Sequence, residues 1–103
     1  ELSELFISEI EKLSLNFILA CPRDPQLRGS QVSFRVENGY ELMQALIEKK
    51  LIGDFRAPNL IRFGISPLYL EEADIMKAIK IIEEVSTQGL WKKFKNSNRK
   101  TVT

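Results

Sequence analysis

Two short segments of the chain alternate apolar and polar side chains at every step, which is the period of a strand with one buried face. The first is residues 31–36, QVSFRV, and the second is residues 60–65, LIRFGI. In the second segment the apolar residues on one face are Ile61, Phe63 and Ile65, and the other face carries Leu60, Arg62 and Gly64. A sheet built from such strands must have one face covered, so we expect helices packed on that side.

The rest of the chain supplies the covering helices. Apolar residues recur at three- and four-residue steps in residues 2–14, 40–51 and 71–91, as in amphipathic helices. Further strands are predicted in residues 15–21 and 51–55. The order helix–strand–strand–helix–strand–strand–helix predicts an α+β domain, a small and mostly antiparallel sheet of three to four strands with helices packed on one face.

Local signals predict the ends of two helices. Asn38 is the predicted N-cap of the second helix, and Glu41, three residues later, completes a capping box while facing outward. Gly89 is predicted to end the third helix.

Composition restricts the chemistry that the chain can perform. Its 103 residues fit one domain with a modest core. It has no histidine and one cysteine, which excludes nucleophile pairs with histidine, internal disulfides, and zinc sites built on histidine or on cysteine alone.

The lack of an internal disulfide leads us to expect a reducing cytoplasm as the location of the protein. No apolar run approaches the roughly 18 residues of a membrane helix. The chain begins with Glu1 rather than Met, so we expect it to be part of a longer protein or a trimmed version of one.

The end of the chain differs in character from the rest. Residues 92–103 carry five basic residues and no acidic one, without apolar periodicity. We predict a single domain over residues 1–91 and a basic, disordered tail over residues 92–103. Such a tail offers a contact for nucleic acid, but a solubilising chain end is the favoured interpretation.

Arg62 is the residue whose position most needs an explanation. Arginine is almost never fully buried without a partner, and its planar guanidinium can donate two parallel hydrogen bonds to a carboxylate. Gly64, on the same face, leaves room for a ligand to approach. The partner of Arg62 is either an anion from outside the chain or an internal acid such as Asp54 on the neighbouring strand, and the spacing favours neither.

Several pieces of the sequence resemble a known family. RGSQVSFRV, then GYELMQALIEKKLIGDFRAPNLIRFGISPLY, then a long amphipathic helix resemble the C-terminal small domain of the kynureninases. Those enzymes are pyridoxal-phosphate hydrolases of the aspartate-aminotransferase-like fold. The resemblance covers roughly residues 2–90, and its specific parts are IGDFRAP and RFG-x-x-PLY.

The resemblance implies an activity for the parent protein and a role for Arg62. A kynureninase cleaves L-kynurenine or 3-hydroxykynurenine with water to anthranilate or 3-hydroxyanthranilate and L-alanine, in the tryptophan catabolism that leads to NAD biosynthesis. By this resemblance Arg62 binds the substrate α-carboxylate. Arg56, a structural arginine of the turn, and Gly64 complete the candidate substrate-binding residues. The resemblance also implies pyridoxal 5′-phosphate as the cofactor and a homodimeric parent.

The chain also departs from the family. It lacks the large domain, which carries the Schiff-base lysine, the phosphate-binding groups and the aspartate that pairs with the pyridine nitrogen. We therefore expect these 103 residues to contain no catalytic, cofactor-binding or metal-binding residue and to be inactive alone. After PLY the chain reads LEEAD, without the polar residue expected to cap the next helix.

Two alternatives stay open. The first is the small domain of another enzyme of this fold, such as a cysteine desulfurase or a class V aminotransferase. The second is a free-standing binding or interaction module, because fold alone does not determine function.

Overall fold

The three-dimensional structure, a computed structural model, describes residues 2–24, 31–51, 53–65 and 70–95. Within these ranges the chain forms three α-helices, four strands and one short 3₁₀-helix. In chain order they are α1 Leu2–Lys12, β1 Ile18–Leu19, β2 Gln31–Arg35, α2 Gly39–Glu48, β3 Asp54–Arg56, β4 Leu60–Gly64, α3 Glu72–Thr87 and the 3₁₀-helix Leu90–Phe94. The predicted element order and the α+β class are confirmed.

The described strands form one antiparallel sheet in the order β1-β2-β4-β3. The two segments with the clearest alternation, β2 and β4, lie side by side at its centre and pair over five positions. Strand β1 has two residues, far fewer than predicted. Ser14 and Asn16 adopt left-handed backbone conformations, with φ of 54° and 62°, and an extended strand cannot pass through them.

One face of the sheet is buried by the helices, as predicted. Its side chains on the two central strands are at most 3% exposed and are Val32, Phe34, Ile61 and Phe63. Phe6 of α1 packs against two of them, with ring centroids 6.2 Å from Phe34 and 5.3 Å from Phe63. The opposite face, which we call the open face, carries the polar positions of the alternation.

The predicted capping box of α2 is wrong. Asn38 has a φ of 59° and its side chain makes no capping hydrogen bond, whereas an N-capping side chain normally extends from a β-region backbone. Asparagine tolerates the left-handed region, so Asn38 serves here as a turn residue between β2 and α2. Glu41 does not face outward and is only 4% exposed.

The start of α3 is capped by a residue that sequence reasoning passed over. The backbone N–H of Glu71 donates a hydrogen bond of 2.8 Å to the carboxylate of Asp74, three residues further on. Glu71 is the N-cap of α3, and the carboxylates of Glu71 and Asp74 together form a capping box, so the expectation that LEEAD lacks a polar capping residue is wrong. At the other end α3 stops at Thr87, and Gly89 follows with a φ of 67°, which confirms its predicted role.

The 3₁₀-helix packs the end of the described chain onto the domain. Trp91 and Phe94 are half-buried against the core, and Lys93 Nζ lies 2.6 Å from Glu48 Oε1 at the end of α2. The predicted start of the tail, Lys92, falls within this helix. Residues 96–103 lie outside the described residues, so the disordered tail stays a prediction.

We expect Phe6→Ala to be the most damaging kind of substitution in this core. Phe6 is 1% exposed and contacts the buried face of both central strands. Truncating a buried phenylalanine costs about 3–5 kcal/mol, a large part of the roughly 5–15 kcal/mol of a typical domain. Urea unfolding measures the free energy of unfolding. The control is Met76→Ala on α3, where the side chain is 45% exposed, and a comparable loss in both variants would contradict the assigned core.

Candidate functional site

The candidate site occupies the open face where β4 lies between β2 and β3. Arg62 is directly opposite Ser33 on one side and Asp54 on the other. The hairpin from β3 to β4 turns through residues 57–59, with a cis peptide bond between Ala57 and Pro58. Because the register pairs Asp54 with Arg62 in neighbouring antiparallel strands, their side chains emerge side by side on the same face.

Arg62 and Asp54 form a two-pronged ion pair. Arg62 Nε donates to Asp54 Oδ1 at 2.8 Å, and Arg62 Nη2 donates to Asp54 Oδ2 at 2.6 Å. The arginine side chain is 22% exposed and the aspartate side chain is 55% exposed. The internal partner considered from the sequence is therefore present.

The pair uses only one edge of the guanidinium. An arginine has five N–H donors, and Asp54 takes the edge formed by Nε and Nη2. The other edge consists of Nη1 and the second hydrogen of Nη2. In the described parts of the chain Asp54 is the sole hydrogen-bond partner of the Arg62 side chain. The second edge has the geometry to receive a carboxylate through two parallel hydrogen bonds.

Two glycines shape the surroundings of this pair. Gly53 lies so close to β4 that an added Cβ would meet the carbonyl oxygen of Arg62 at 2.5 Å. Glycine therefore lets the residue just before Asp54 approach the backbone of Arg62. Gly64 has the opposite environment, since an added Cβ there would have no neighbour within 4 Å. Among the described residues, nothing fills the space beside the Gly64 backbone.

Two further arginines share the open face. Arg56 lies at the end of β3, two residues from Asp54, and is exposed. Arg35 lies on β2 opposite Leu60 and is also exposed. The alternation of QVSFRV predicts Arg35 on the wetter face of its strand, as a solvated charge. Its alternation with Ser33 indicated the polar face, but the pairing of β2 with β4 that brings it beside the hairpin is a tertiary feature.

The arginines lower the pKa of the neighbouring Asp54 carboxyl group. The pKa of Asp54 lies below its ordinary value of 3.8, mainly because Arg62 hydrogen-bonds to the charged carboxylate, and partial burial opposes this shift. The positive charges of Arg62 and Arg56 lower this pKa further. The pKa of Arg62 is raised by the same hydrogen bonds. Both groups are therefore charged at neutral pH.

A well-defined groove lies elsewhere on the described structure. It has a volume of about 630 Å³ and is lined by residues that include Asn16, Asn38, Asn59 and Trp91. Arg35 reaches it, but Arg56, Arg62 and Gly64 do not. Gly64 instead lines a separate cavity of about 260 Å³ with Phe63 and Ile65, and Arg62 does not line that cavity either.

Other kinds of site find no support in the described ranges. They contain no group of three or more cysteine, aspartate or glutamate side chains placed to hold a metal ion. None of their helices combines the length and the apolar character needed to cross a bilayer.

Comparison with known proteins identifies relatives of the whole described domain. The family described as "Kynureninase C-terminal domain" matches residues 1–82. Kynureninase of Pseudomonas fluorescens is 36% identical over 104 aligned positions, covering 99% of this chain and 25% of the relative. Kynureninases of Burkholderia mallei (strain SAVP1) and Burkholderia pseudomallei (strain K96243) are each 40% identical over 85 positions, covering 82% of this chain and 20% of the relative. The chain thus spans a quarter or less of these relatives' length.

We expect the pKa of Asp54 to rise toward 3.8 when Arg62 is replaced by Gln. Arg62→Gln removes the hydrogen-bonded charge that contributes most to the shift, whereas Arg56→Gln removes a weaker, purely electrostatic contribution. Carboxyl-carbon NMR of the chain titrated with acid measures the pKa in the wild type and in both variants. Equal effects of the two substitutions would contradict the assigned geometry.

The lowered pKa of Asp54 determines how the contribution of the Asp54–Arg62 pair to stability depends on pH. A carboxyl whose pKa is lowered by folding stabilises the native state above its unfolded pKa, and this stabilisation is lost as the pH falls through the folded pKa. Asp54→Asn should lower the melting temperature of the chain by no more than about 5 °C at pH 7, since exposed pairs contribute little. The difference from wild type should shrink to nothing in strong acid. A difference that persists below the folded pKa would show that Asp54 contributes through packing instead.

Proposed function

Because the chain belongs to the kynureninase C-terminal domain family, we propose that it is the C-terminal part of a hydrolase that cleaves L-kynurenine or 3-hydroxykynurenine. The products are anthranilate or 3-hydroxyanthranilate and L-alanine. The observation that carries the proposal is the Arg62 guanidinium on the open face. It is fixed along one edge by Asp54, and no described residue hydrogen-bonds to its other edge.

In this proposal Arg62 binds the α-carboxylate of the substrate. A bidentate contact fixes two carboxylate oxygens in the guanidinium plane, so it orients the amino acid end of the substrate as well as binding it. The open space above Gly64 gives the carboxylate a path to Arg62. Arg56 acts at a distance, because its charge on the same face adds to the positive potential that attracts the carboxylate.

The internal pair and the substrate contact are compatible. Asp54 and a substrate carboxylate would use different edges of the same guanidinium, so binding does not require Asp54 to leave. The sequence left open whether Arg62 pairs with Asp54 or with an anion from outside the chain. In this proposal Arg62 binds both at once.

The cofactor of the proposed enzyme is pyridoxal 5′-phosphate, which when bound supplies the electron sink for carbon–carbon bond cleavage. The described residues do not fit its attachment. None of the described strands contains a lysine, and the described lysines lie on helices or at their ends. We propose that the cofactor is held by the part of the protein that corresponds to the remaining three quarters of the relatives.

Two further properties belong to the same proposal. The single cysteine, Cys21, is compatible with a reducing cytoplasm. The resemblance implies a homodimeric parent, which analytical ultracentrifugation of the full-length protein would test.

We expect the chain alone to form no specific adduct with pyridoxal 5′-phosphate. The described lysines lie on helices or at their ends, and none lies on a described strand. Borohydride reduction followed by peptide mass spectrometry would measure adducts on each lysine. Stoichiometric labelling of one lysine would contradict the proposal that this part of the protein only contributes to substrate binding.

We expect Arg62→Ala to damage turnover of kynurenine by the full-length, cofactor-loaded protein far more than it damages folding. Loss of two charge-assisted hydrogen bonds to the substrate should lower kcat/KM by roughly 30- to several-thousand-fold. Arg62→Lys should recover only part of the activity, because an ammonium cannot reproduce the planar fork. Steady-state kinetics measures both variants, and thermal melting of the chain measures folding.

The matched control is Arg35→Ala, which removes an exposed arginine from the neighbouring strand of the same face. It should change kcat/KM by less than about threefold, because Arg35 makes no direct contact with the substrate in this proposal and can act only through its partly screened charge. If Arg62→Ala melted far below the wild type while its kinetics per folded molecule were normal, Arg62 would be structural. An inactive wild-type protein would refute the proposed reaction itself.

A further inference from the structure

We propose that Asp54 is the positioning residue for Arg62: it holds one edge of the guanidinium so that the other edge is presented to the substrate carboxylate before binding. This inference rests on the proposed function. It assigns to Asp54 a part in substrate recognition, although Asp54 does not touch the substrate.

The geometry of the pair restricts both the position and the rotation of the Arg62 guanidinium. Two hydrogen bonds, from Nε and from Nη2, fix both the direction of the arginine side chain and the rotation of its terminal plane. A single hydrogen bond would leave that rotation free. The free edge must then point away from Asp54, because the two edges lie in one rigid plane.

The backbone holds the positioning residue in place. Asp54 and Arg62 are directly paired in the β3–β4 ladder. Gly53 brings the chain close to the carbonyl of Arg62, at a separation that no larger residue permits. Asp54 is therefore anchored on the same two strands that carry Arg62, and the relative position of the two side chains is set by the sheet.

Asp54 has two opposing effects on the affinity of Arg62 for the substrate carboxylate. An unrestrained arginine loses most of its side-chain freedom on binding a carboxylate, which lowers affinity by up to about 30-fold. Asp54 removes that loss by ordering the side chain in advance. Its negative charge also repels the substrate carboxylate across the guanidinium. At about 7 Å this repulsion is worth about threefold with the dielectric constant of water, the value that the 55% exposure of the Asp54 side chain favours. The ordering effect is larger, so Asp54 should improve substrate binding by about tenfold.

The test is Asp54→Asn in the full-length, cofactor-loaded protein, measured with two ligands. The first is kynurenine, and the second is the amine that kynurenine becomes when it loses its carboxyl group, used as a competitive inhibitor. We expect the KM for kynurenine to rise about tenfold, with kcat changed by less than about threefold. The inhibition constant of the amine should stay within about twofold of wild type, because this ligand does not use Arg62.

The matched control is Glu48→Gln, which removes a carboxylate from the exposed ion pair with Lys93 at the C-terminal end of α2. It should leave both constants unchanged. A purely structural role for Asp54 predicts that kynurenine and the amine weaken together in Asp54→Asn, and that result would overturn the inference. Tighter or equal binding of kynurenine would also overturn it, because repulsion would then outweigh ordering.

A second variant and a second measurement distinguish a loss of positioning from a loss of folding. Asp54→Glu keeps the charge but lengthens the arm by one methylene group, and it should also raise the KM for kynurenine selectively. A wild-type KM in that variant would contradict the need for this geometry. In the chain itself, ¹⁵N relaxation of the Arg62 Nε–H group should show a rigid side chain in the wild type and a mobile one in Asp54→Asn, and a side chain that stays rigid would count against the inference.

The inference and the proposed function fail in different ways. If the wild type hydrolyses kynurenine and Arg62→Ala is impaired but Asp54→Asn behaves as wild type, the proposed function stands and the positioning role is refuted. If the wild type does not hydrolyse kynurenine, the proposed function is refuted first.

Discussion

Burial of one face of a small sheet is the constraint on which the rest of this structure depends. Phe34 and Phe63, on adjacent central strands, meet Phe6 of the first helix, and the surrounding apolar side chains are nearly all inaccessible to solvent. Strand geometry alternates side chains strictly, so every residue between two buried ones must lie on the other face. Arg62 follows Ile61 and precedes Phe63. Its exposure is therefore a direct consequence of how its neighbours are buried.

The fold was largely predictable because its signals are local and periodic. The alternation in β2 and β4 and the helical spacing in α1, α2 and α3 each require only a few neighbouring residues to recognise. The errors arose where backbone conformation, rather than the hydrophobic pattern, determines where an element begins or ends. Strand β1 is short because of the left-handed residue Asn16, and the helix cap at Asn38 is absent because that residue is also left-handed. Neither conformation is visible in the pattern of apolar residues.

The candidate site was predictable in its residues but not in its arrangement. Alternation placed Arg62 and Gly64 on one face, and proximity in sequence suggested Asp54 as a partner. What could not be read from the sequence is the strand order, which places β4 between β2 and β3. That order brings Arg35 onto the same surface. The register, in turn, determines which edge of the Arg62 guanidinium Asp54 occupies.

The uneven charge of the open face has a consequence for the speed of encounter. Its described strands carry three arginines, Arg35, Arg56 and Arg62, and a single acid, Asp54. A surface with this excess attracts small anions over a distance set by the ionic atmosphere, about 8 Å at physiological salt. Anions would therefore arrive at this face faster in dilute buffer than in concentrated salt. Because the Asp54 contact is short and already made, salt should slow their arrival far more than it disturbs the internal pair.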